Sequence, residues 1–288
     1  MKISACTFIR NAVRFDYPIV ESINSILPII DEYVVLVGKS DDDTLALIQS
    51  INSEKIRIIE SEWDESLNAN GEVLADETNK ALTQISKKAD WIFYLQGDEV
   101  VHKKDHKKIF RSCQENVSNH DVEGLLFNFI HFYGDYDHYG DSRKWYRSEI
   151  RIIRNNEKIR SYKDAQGFRI DGRKLNVKKV NADIYHYGWV KEPIIQLERL
   201  KNSQNYWEKD QWGLTNLDSL EFDYNRMPYL VKFEGSHPSV MDKRLKSKAW
   251  EFEYNSKHTK ASFRRSLLHF IEKFFGWRIG AYKNYRII

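Results

Sequence analysis

The sequence predicts an α/β fold built on a largely parallel sheet. Over the first hundred residues, short apolar runs of strand type alternate with stretches of helical periodicity. The connections between them are short, which for strand–helix–strand units implies right-handed crossovers and parallel pairing. Two polar clusters, Lys39 to Asp43 and Gln96 to Glu99, directly follow apolar runs. In such sheets, ligands lie beyond those strand ends.

Lys2 to Ile9 reads as the first strand. Ile19, Ile23 and Ile26 recur at helical spacing within Tyr17 to Leu27. Tyr33 to Val37 is a continuous apolar run of the buried-strand kind. After the polar residues Ser40 to Asp43, the residues Leu45, Leu47, Ile48 and Ile51 predict a short helix. Ile56 to Glu60 is a third strand, Glu72 to Lys88 a helix, and Trp91 to Leu95 a fourth strand that stops at Gln96. Further on, Asp105 to Val117 reads as a helix, Gly124 to Phe132 as a long aromatic strand and Glu149 to Arg154 as an alternating strand. A last strand over Val180 to Tyr187 runs into Gly188 and Trp189. From Pro193 the pattern is helical and loop-like. The expected division is therefore a body of residues 1–190 and a helical, basic and aromatic extension of residues 191–288.

The 288 residues, 41% hydrophobic and 30% charged, suit one large domain or one and a half with a substantial core. No apolar run approaches the roughly 18 to 20 residues needed to cross a bilayer. Lys2, Arg10 and Arg14 surround a strand-like segment with no small-residue cleavage pattern, so no signal peptide is expected. Two cysteines, Cys6 and Cys113, give neither a disulfide framework nor a metal spacing, which points to a reducing cytoplasm. A net charge of +3 argues against a nucleic-acid partner held by broad electrostatic attraction. The charge is uneven: Lys257 to Ile288 holds eight Lys or Arg and one acid, Glu272, so Met1 to Ser256 has 37 basic and 41 acidic residues.

The strongest local signal is Gln96-Gly97-Asp98-Glu99 at the tip of the fourth strand. Carboxylates beside a glycine that lets the backbone turn suit a hard divalent cation and a phosphate. The competing reading is an acidic turn leading into the helix near Asp105.

In this context the chain resembles the nucleotide-sugar-dependent glycosyltransferases of family 2, which have the GT-A fold. The matching features occur in order: Arg10-Asn11 after the first strand; Asp31-Glu32 before the second; Ser40, Asp42 and Thr44; then Gly71, Ala75 and Asn79; then Gln96-Gly97-Asp98 in place of Asp-x-Asp. The resemblance implies a mixed sheet flanked by helices and transfer of a sugar from a nucleotide-sugar donor to a glycan or lipid-linked acceptor. That transfer would invert the anomeric centre and serve surface polysaccharide or lipopolysaccharide synthesis. It also implies a divalent cation, Mn²⁺ or Mg²⁺, held by Asp98 and by His186, since the family places a histidine after its last core strand. It assigns Arg10, Asn11, Lys39, Asp42 and Asn79 to the nucleotide, with Glu99 supporting the metal or facing the sugar. Two departures stand out. Val37-Gly38 replaces the family's paired nucleobase acids, and Gln96 replaces the first aspartate, an amide being a poorer metal ligand than a carboxylate.

Asp164 is the expected general base, from its loop between the alternating strand and the His186 strand; Glu149 and Asp141 are rivals. Between His131 and Tyr146, eight of sixteen residues are His or aromatic. With Trp145, Tyr146 and Arg147 this stretch suits an acceptor-sugar platform, or else an aromatic hairpin packed on the C-terminal region. Arg143 and Arg147 suit either the diphosphate or salt bridges. For His186 the competing reading is a packed core histidine. Gly38-Lys39-Ser40 mimics the end of a phosphate loop, but Tyr33 stands where its leading glycine belongs. No hydrolase or dehydrogenase fingerprint is present.

Phe263, Leu267, Phe270, Ile271 and Phe274 share one helical face with basic residues nearby. This suits peripheral contact with the inner face of a plasma membrane, or docking on the body with the basic side in water. The alternatives in function are a noncatalytic nucleotide-sugar or glycan binding protein that keeps the fold, and a nucleotidyltransferase. Against the latter, no Gly-rich, Lys-ending loop occurs near the N-terminus.

Overall fold

The computed structural model describes residues 1–206, 221–255 and 263–288. Its centre is a parallel sheet formed by β1 (Ile3–Ile9), β2 (Glu32–Gly38), β3 (Ile56–Ser61) and β4 (Trp91–Tyr94) in the order β3-β2-β1-β4. These strands are apolar through most of their length, and β1, β2 and β4 are buried on both faces, as parallel strands between helices must be. The Asp31 carboxylate accepts the Ile3 amide at 2.8 Å and ties the start of β1 to the chain entering β2.

Helices α1 (Ile19–Ile26) and α2 (Thr44–Gln49) cover one face of the sheet, and α3 (Glu72–Thr83) the other. Ile19, Ile23 and Ile26 of α1 are fully buried, which is the stripe their spacing predicts. α3 starts at Gly71 in the left-handed region, φ 72°, and ends five residues before Lys88. The chain at Asp98 does not simply run into a helix. Instead β5 (Glu99–Val101) pairs antiparallel with β12 (Asn176–Trp189), and α4 (His106–Asn116) follows. With β6 (Gly124–Tyr133), α4 closes the core around Ile109 and Cys113. Cys6 and Cys113 are both buried free thiols.

The sheet becomes mixed beyond β4, as expected. β8 (Ser148–Arg154) lies antiparallel between β4 and β6, while β12 runs parallel to β6 on its other edge. β7 (His138–Gly140) makes the hairpin edge. A small antiparallel sheet, β9 (Ile159–Tyr162), β10 (Gly167–Ile170) and β11 (Arg173–Lys174), buries Ile159, Phe168 and Ile170 against the α3 side of the sheet.

After Trp189 come α5 (Pro193–Ser203), β13 (Leu230–Lys232), α6 (Asp242–Ser247), α7 (Phe263–Phe275) and β14 (Arg286–Ile287). The helical and loop-like pattern expected here also contains these two strands. β13 adds antiparallel to β7, and β14 adds parallel to the start of β12. Both are two or three residues long, too short to show an alternation in sequence.

Candidate active site

The ends of β1, β2 and β4 share one edge of the sheet, because all three run parallel. β4 is followed by the turn Gln96–Glu99, closed by the Glu99 amide donating to the Gln96 carbonyl at 3.0 Å. The end of β12 meets this turn, where the Tyr187 amide donates to the Asp98 carbonyl at 2.8 Å. That bond places His186 Nε2 3.5 Å from Asp98 Oδ2. Gly188 makes the approach feasible: a Cβ there would lie 2.5 Å from Asp98 Oδ2 and 2.8 Å from His186 Nε2.

The space a side chain would fill is thus faced by one carboxylate oxygen and one imidazole nitrogen. This donor pair suits Mn²⁺ or a similar borderline cation. Among the described residues no third His, Cys, Asp or Glu joins the pair, so a bound ion would take its other ligands from substrate oxygens or water. Gln96 turns away, its amide nitrogen donating to the Tyr94 hydroxyl at 3.2 Å.

Beside this pair lies a cleft. One cavity of about 170 Å³ is lined by Arg10, Asn11, Tyr17, Trp63, Arg199 and Tyr206 among others. A more open one of about 670 Å³ shares Arg10, Asn202 and Tyr206 and adds Glu65 and Asn68. Trp63 and Tyr206 pack at 5.5 Å across it, and Arg10 lies over the Trp63 ring at 5.6 Å. Arg10 Nε, Trp63 Nε1 and Arg199 Nε are buried donors without a protein acceptor. A buried donor left unpaired is costly, and three lining one cleft fit a ligand rich in acceptor oxygens. Lys191, fully buried, donates to the Asp16 carbonyl at 2.9 Å and lies over the Tyr17 ring. Burial, helped by the positive charge of Arg199, lowers its pKa to about 7.

The expected nucleotide residues separate into two sets. Arg10 and Asn11 line the cleft. Asn79 instead braces β9, donating to the Ser161 carbonyl at 3.0 Å and accepting its amide at 2.9 Å. Asp42 accepts the amides of Arg14 and Thr44 and is spent on the loop before α2. Lys39 is exposed, 4.0 Å from Glu62.

Glu99 does not face this site. It is fully buried, and its two oxygens take Arg151 Nε at 2.7 Å and Nη2 at 2.6 Å. Asp98 sits in the turn and Glu99 opens β5 with its side chain on Arg151, so the two carboxylates diverge. Removing one member of such a buried pair costs about 3–5 kcal/mol, which marks Glu99 as part of the body's frame rather than a catalytic group.

The expected acceptor platform is closed. Trp145 is buried, stacked on His131 at 4.9 Å, and Tyr146 packs edge-on to the same ring at 4.5 Å. Arg147 pairs with Asp141 at 2.6 Å and with Glu272 of α7 at 3.4 Å; Arg143 pairs with Glu272 at 3.0 Å. The aromatic stretch is therefore hairpin packing against the C-terminal region. Asp164 does border open space, a cavity of about 410 Å³ lined also by Asn70, Glu72, Tyr162, Tyr282 and Asn284. Lys163 and Ala165 on either side of it adopt left-handed φ values of 55° and 58°, and burial raises the Asp164 pKa. The rival carboxylates are engaged: Asp141 with Arg147 and Lys273, Glu149 with Gln166 and Asn284.

Sequence reasoning missed Trp63, Arg199 and Tyr206, and took His131 only as part of the aromatic stretch. They follow no motif; long-range packing brings them in. Gly188, directly after His186-Tyr187, was the legible hint of a close approach.

No protein-family model and no curated protein matches this chain. Among solved structures, it is similar to S. aureus TarS, with 17% identity over 70% of this chain and 39% of that one, TM-score 0.42. It is also similar to 4-diphosphocytidyl-2C-methyl-D-erythritol synthase from Anaerococcus prevotii, with 14% identity over 71% and 95%, TM-score 0.41. Glucosyl-3-phosphoglycerate synthase from Mycobacterium tuberculosis, solved with Mn²⁺, UDP and phosphoglyceric acid, gives 19% identity over 45% and 43%, TM-score 0.31. The chain thus spans well under half the length of TarS. These are distant likenesses, and function has to be read from the site.

Proposed function

We propose that this chain is a GT-A type glycosyltransferase that takes a nucleoside diphosphate sugar in the cleft between Arg10, Trp63 and Arg199 and transfers its sugar to a hydroxyl acceptor with inversion. The observation that carries the reading is the Gly188 gap, faced by Asp98 Oδ2 and His186 Nε2 beside buried donors that lack acceptors. Cleavage of the anomeric C–O bond leaves negative charge on the diphosphate. A divalent cation held by Asp98 and His186 would supply Lewis-acid stabilisation of that leaving group. Arg10 and Arg199 add fixed positive charge and hydrogen bonds, and the Trp63 and Tyr206 rings supply flat apolar surface for a base or sugar. Asp164, its carboxyl made more basic by burial, accepts the proton of the attacking hydroxyl. Its cavity, walled partly by Tyr282 and Asn284, is the proposed acceptor side. In this reading residues 1–190 carry donor binding and 191–288 help select a glycan or lipid-linked acceptor of surface-polysaccharide type.

Among the described residues no helix is long and apolar enough to cross a membrane. α7 nevertheless offers a peripheral contact. Its polar side is bound to the body through Glu272 and Lys273, and Phe263, Phe270 and Phe274 stand more than half exposed. A chain with this face suits peripheral contact with the inner face of a plasma membrane.

Thermal-shift measurements with UDP, GDP, CMP and TDP, each with and without Mn²⁺, test the donor site. One nucleotide should raise the melting temperature only with Mn²⁺, by several degrees, since saturation at a hundred times Kd stabilises by about 2.7 kcal/mol. Asp98→Ala should abolish the shift. Silence toward all four nucleotides in the wild type would favour a noncatalytic glycan-binding role.

A further inference from the structure

His131 on β6 is the register partner of His186 on β12. It is almost wholly buried, stacked between Trp145 at 4.9 Å and Phe129 at 5.3 Å. Its Nε2 lies 2.9 Å from the Tyr146 carbonyl oxygen, and its Nδ1 lies 3.1 Å from Nδ1 of His186. A carbonyl oxygen only accepts, so His131 Nε2 carries hydrogen. At 2% exposure between two aromatic rings, with its nitrogens facing a carbonyl oxygen and another imidazole, this ring is poorly placed to hold a second proton. His131 Nδ1 is then a bare acceptor. The short contact between the two Nδ1 atoms requires one hydrogen, and that hydrogen belongs to His186. The other nitrogen of His186, Nε2, is the one 3.5 Å from Asp98 Oδ2 at the Gly188 gap.

We infer that His131 is a positioning residue that fixes His186 with hydrogen on Nδ1 and so presents Nε2 to a cation shared with Asp98. The inference rests on the metal reading of the Asp98–His186 pair and adds the group that makes it competent. A lone-pair nitrogen and a carboxylate oxygen facing each other repel unless a cation lies between them. The chain from the Tyr146 carbonyl through both rings ensures that this is the arrangement offered. Partners behind a ligating histidine set its ring orientation and tautomer in just this way.

The test uses full-length protein labelled with ¹⁵N at histidine. Long-range ¹H–¹⁵N spectra at alkaline pH should show His186 as the Nδ1–H tautomer in the wild type and as Nε2–H or a mixture in His131→Phe. His131→Asn, whose side-chain carbonyl can still accept from His186 Nδ1, should restore the wild-type tautomer. Titration of Mn²⁺ alone, followed by loss of its free electron paramagnetic resonance signal, should show Kd raised 10- to 100-fold in His131→Phe and recovered in His131→Asn. An Nε2–H tautomer in the wild type overturns the inference, as does an unchanged Mn²⁺ Kd in folded His131→Phe. If His131→Phe does not fold, the wild-type tautomer and the Mn²⁺ Kd of His131→Asn decide the matter. If the wild type binds no Mn²⁺ yet His186 loses its Nδ1–H form in His131→Phe, the metal reading fails while the positioning of His186 by His131 stands.

Discussion

Glu149 shows how a single buried carboxyl can shape the response of the body to pH. It is 3% exposed and accepts from Gln166 Nε2 at 3.0 Å and Asn284 Nδ2 at 3.4 Å. Burial raises its pKa to about 7, against the lowering influence of Arg151, Asn284 and Gln166. The folded state therefore binds this proton more tightly than the unfolded chain, whose carboxyl titrates near 4.5. The stabilisation is full below that value and disappears as pH rises through about 7, a change on the order of 3 kcal/mol. Denaturant midpoints should accordingly fall between pH 5 and pH 8 by more in the wild type than in Glu149→Gln, which cannot ionise. Equal slopes in the two proteins would refute the assignment. The same residue-scale contrast explains what was legible at the site. Asp98 and His186 could be singled out because each lies close to the C-terminal end of an expected strand, and such ends meet on one edge of a parallel sheet. Glu99 was misread because its partner, Arg151, lies 52 residues away, and no local pattern announces a buried ion pair.

At the level of elements, α7 shows what periodicity can and cannot reveal. Its apolar face follows from spacing alone, but spacing does not say whether that face meets the body or the solvent. The body side is decided by charges on distant elements: Asp141 takes Lys273 at 2.5 Å, Glu272 takes Arg143, and Tyr229 stacks on His269 at 4.1 Å and contacts the Ser266 hydroxyl. Phe263, Phe270, Phe274 and Trp277 are left outward, with Arg264 exposed beside them. An outward apolar face with basic neighbours suits an anionic bilayer, where each inserted aromatic side chain contributes about 1.5–3 kcal/mol. Vesicles containing phosphatidylserine should pull down the wild type. The double substitution Phe270→Glu and Phe274→Glu should reduce binding at least about tenfold, since inserting two carboxylates loses both contributions, and should leave the melting temperature unchanged. Binding that survives the substitutions would rule α7 out as the contact. The opposite case is the small sheet β9–β11, which the sequence hid: its strands are two to four residues long and carry Arg160, Arg169, Arg173 and Lys174, so charge masks the alternation.

For the whole molecule, the expected boundary near residue 190 is bridged by packing from both sides. Lys191 is fully buried and bonded to Asp16, and Trp189 packs with Leu197, Leu200, Phe222, Tyr224 and Leu230 in one cluster. The last residues reach back furthest. Tyr285 packs against the core on the α3 side, Asn284 reaches Glu149 and the Tyr162 hydroxyl, and β14 extends β12. Gly167 is matched to this arrangement, because a Cβ there would lie 1.9 Å from Asn284 Nδ2. A chain ended after Gly280 would lose the Asn284 hydrogen bonds, at about 1–3 kcal/mol where buried partners are left unpaired, together with about 1–2 kcal/mol of Tyr285 burial. At roughly 2–4 °C per kcal/mol for chains of this size, its melting temperature should drop by about 5–15 °C, still in one transition. The cavity around Asp164 loses Tyr282 and Asn284 in the same cut, so acceptor binding should weaken while the Mn²⁺-dependent nucleotide shift, built from Asp98, His186 and Arg10, persists. A truncated chain as stable as the intact one would mean that these residues are merely appended, and the acceptor side would then have to be sought away from Asp164.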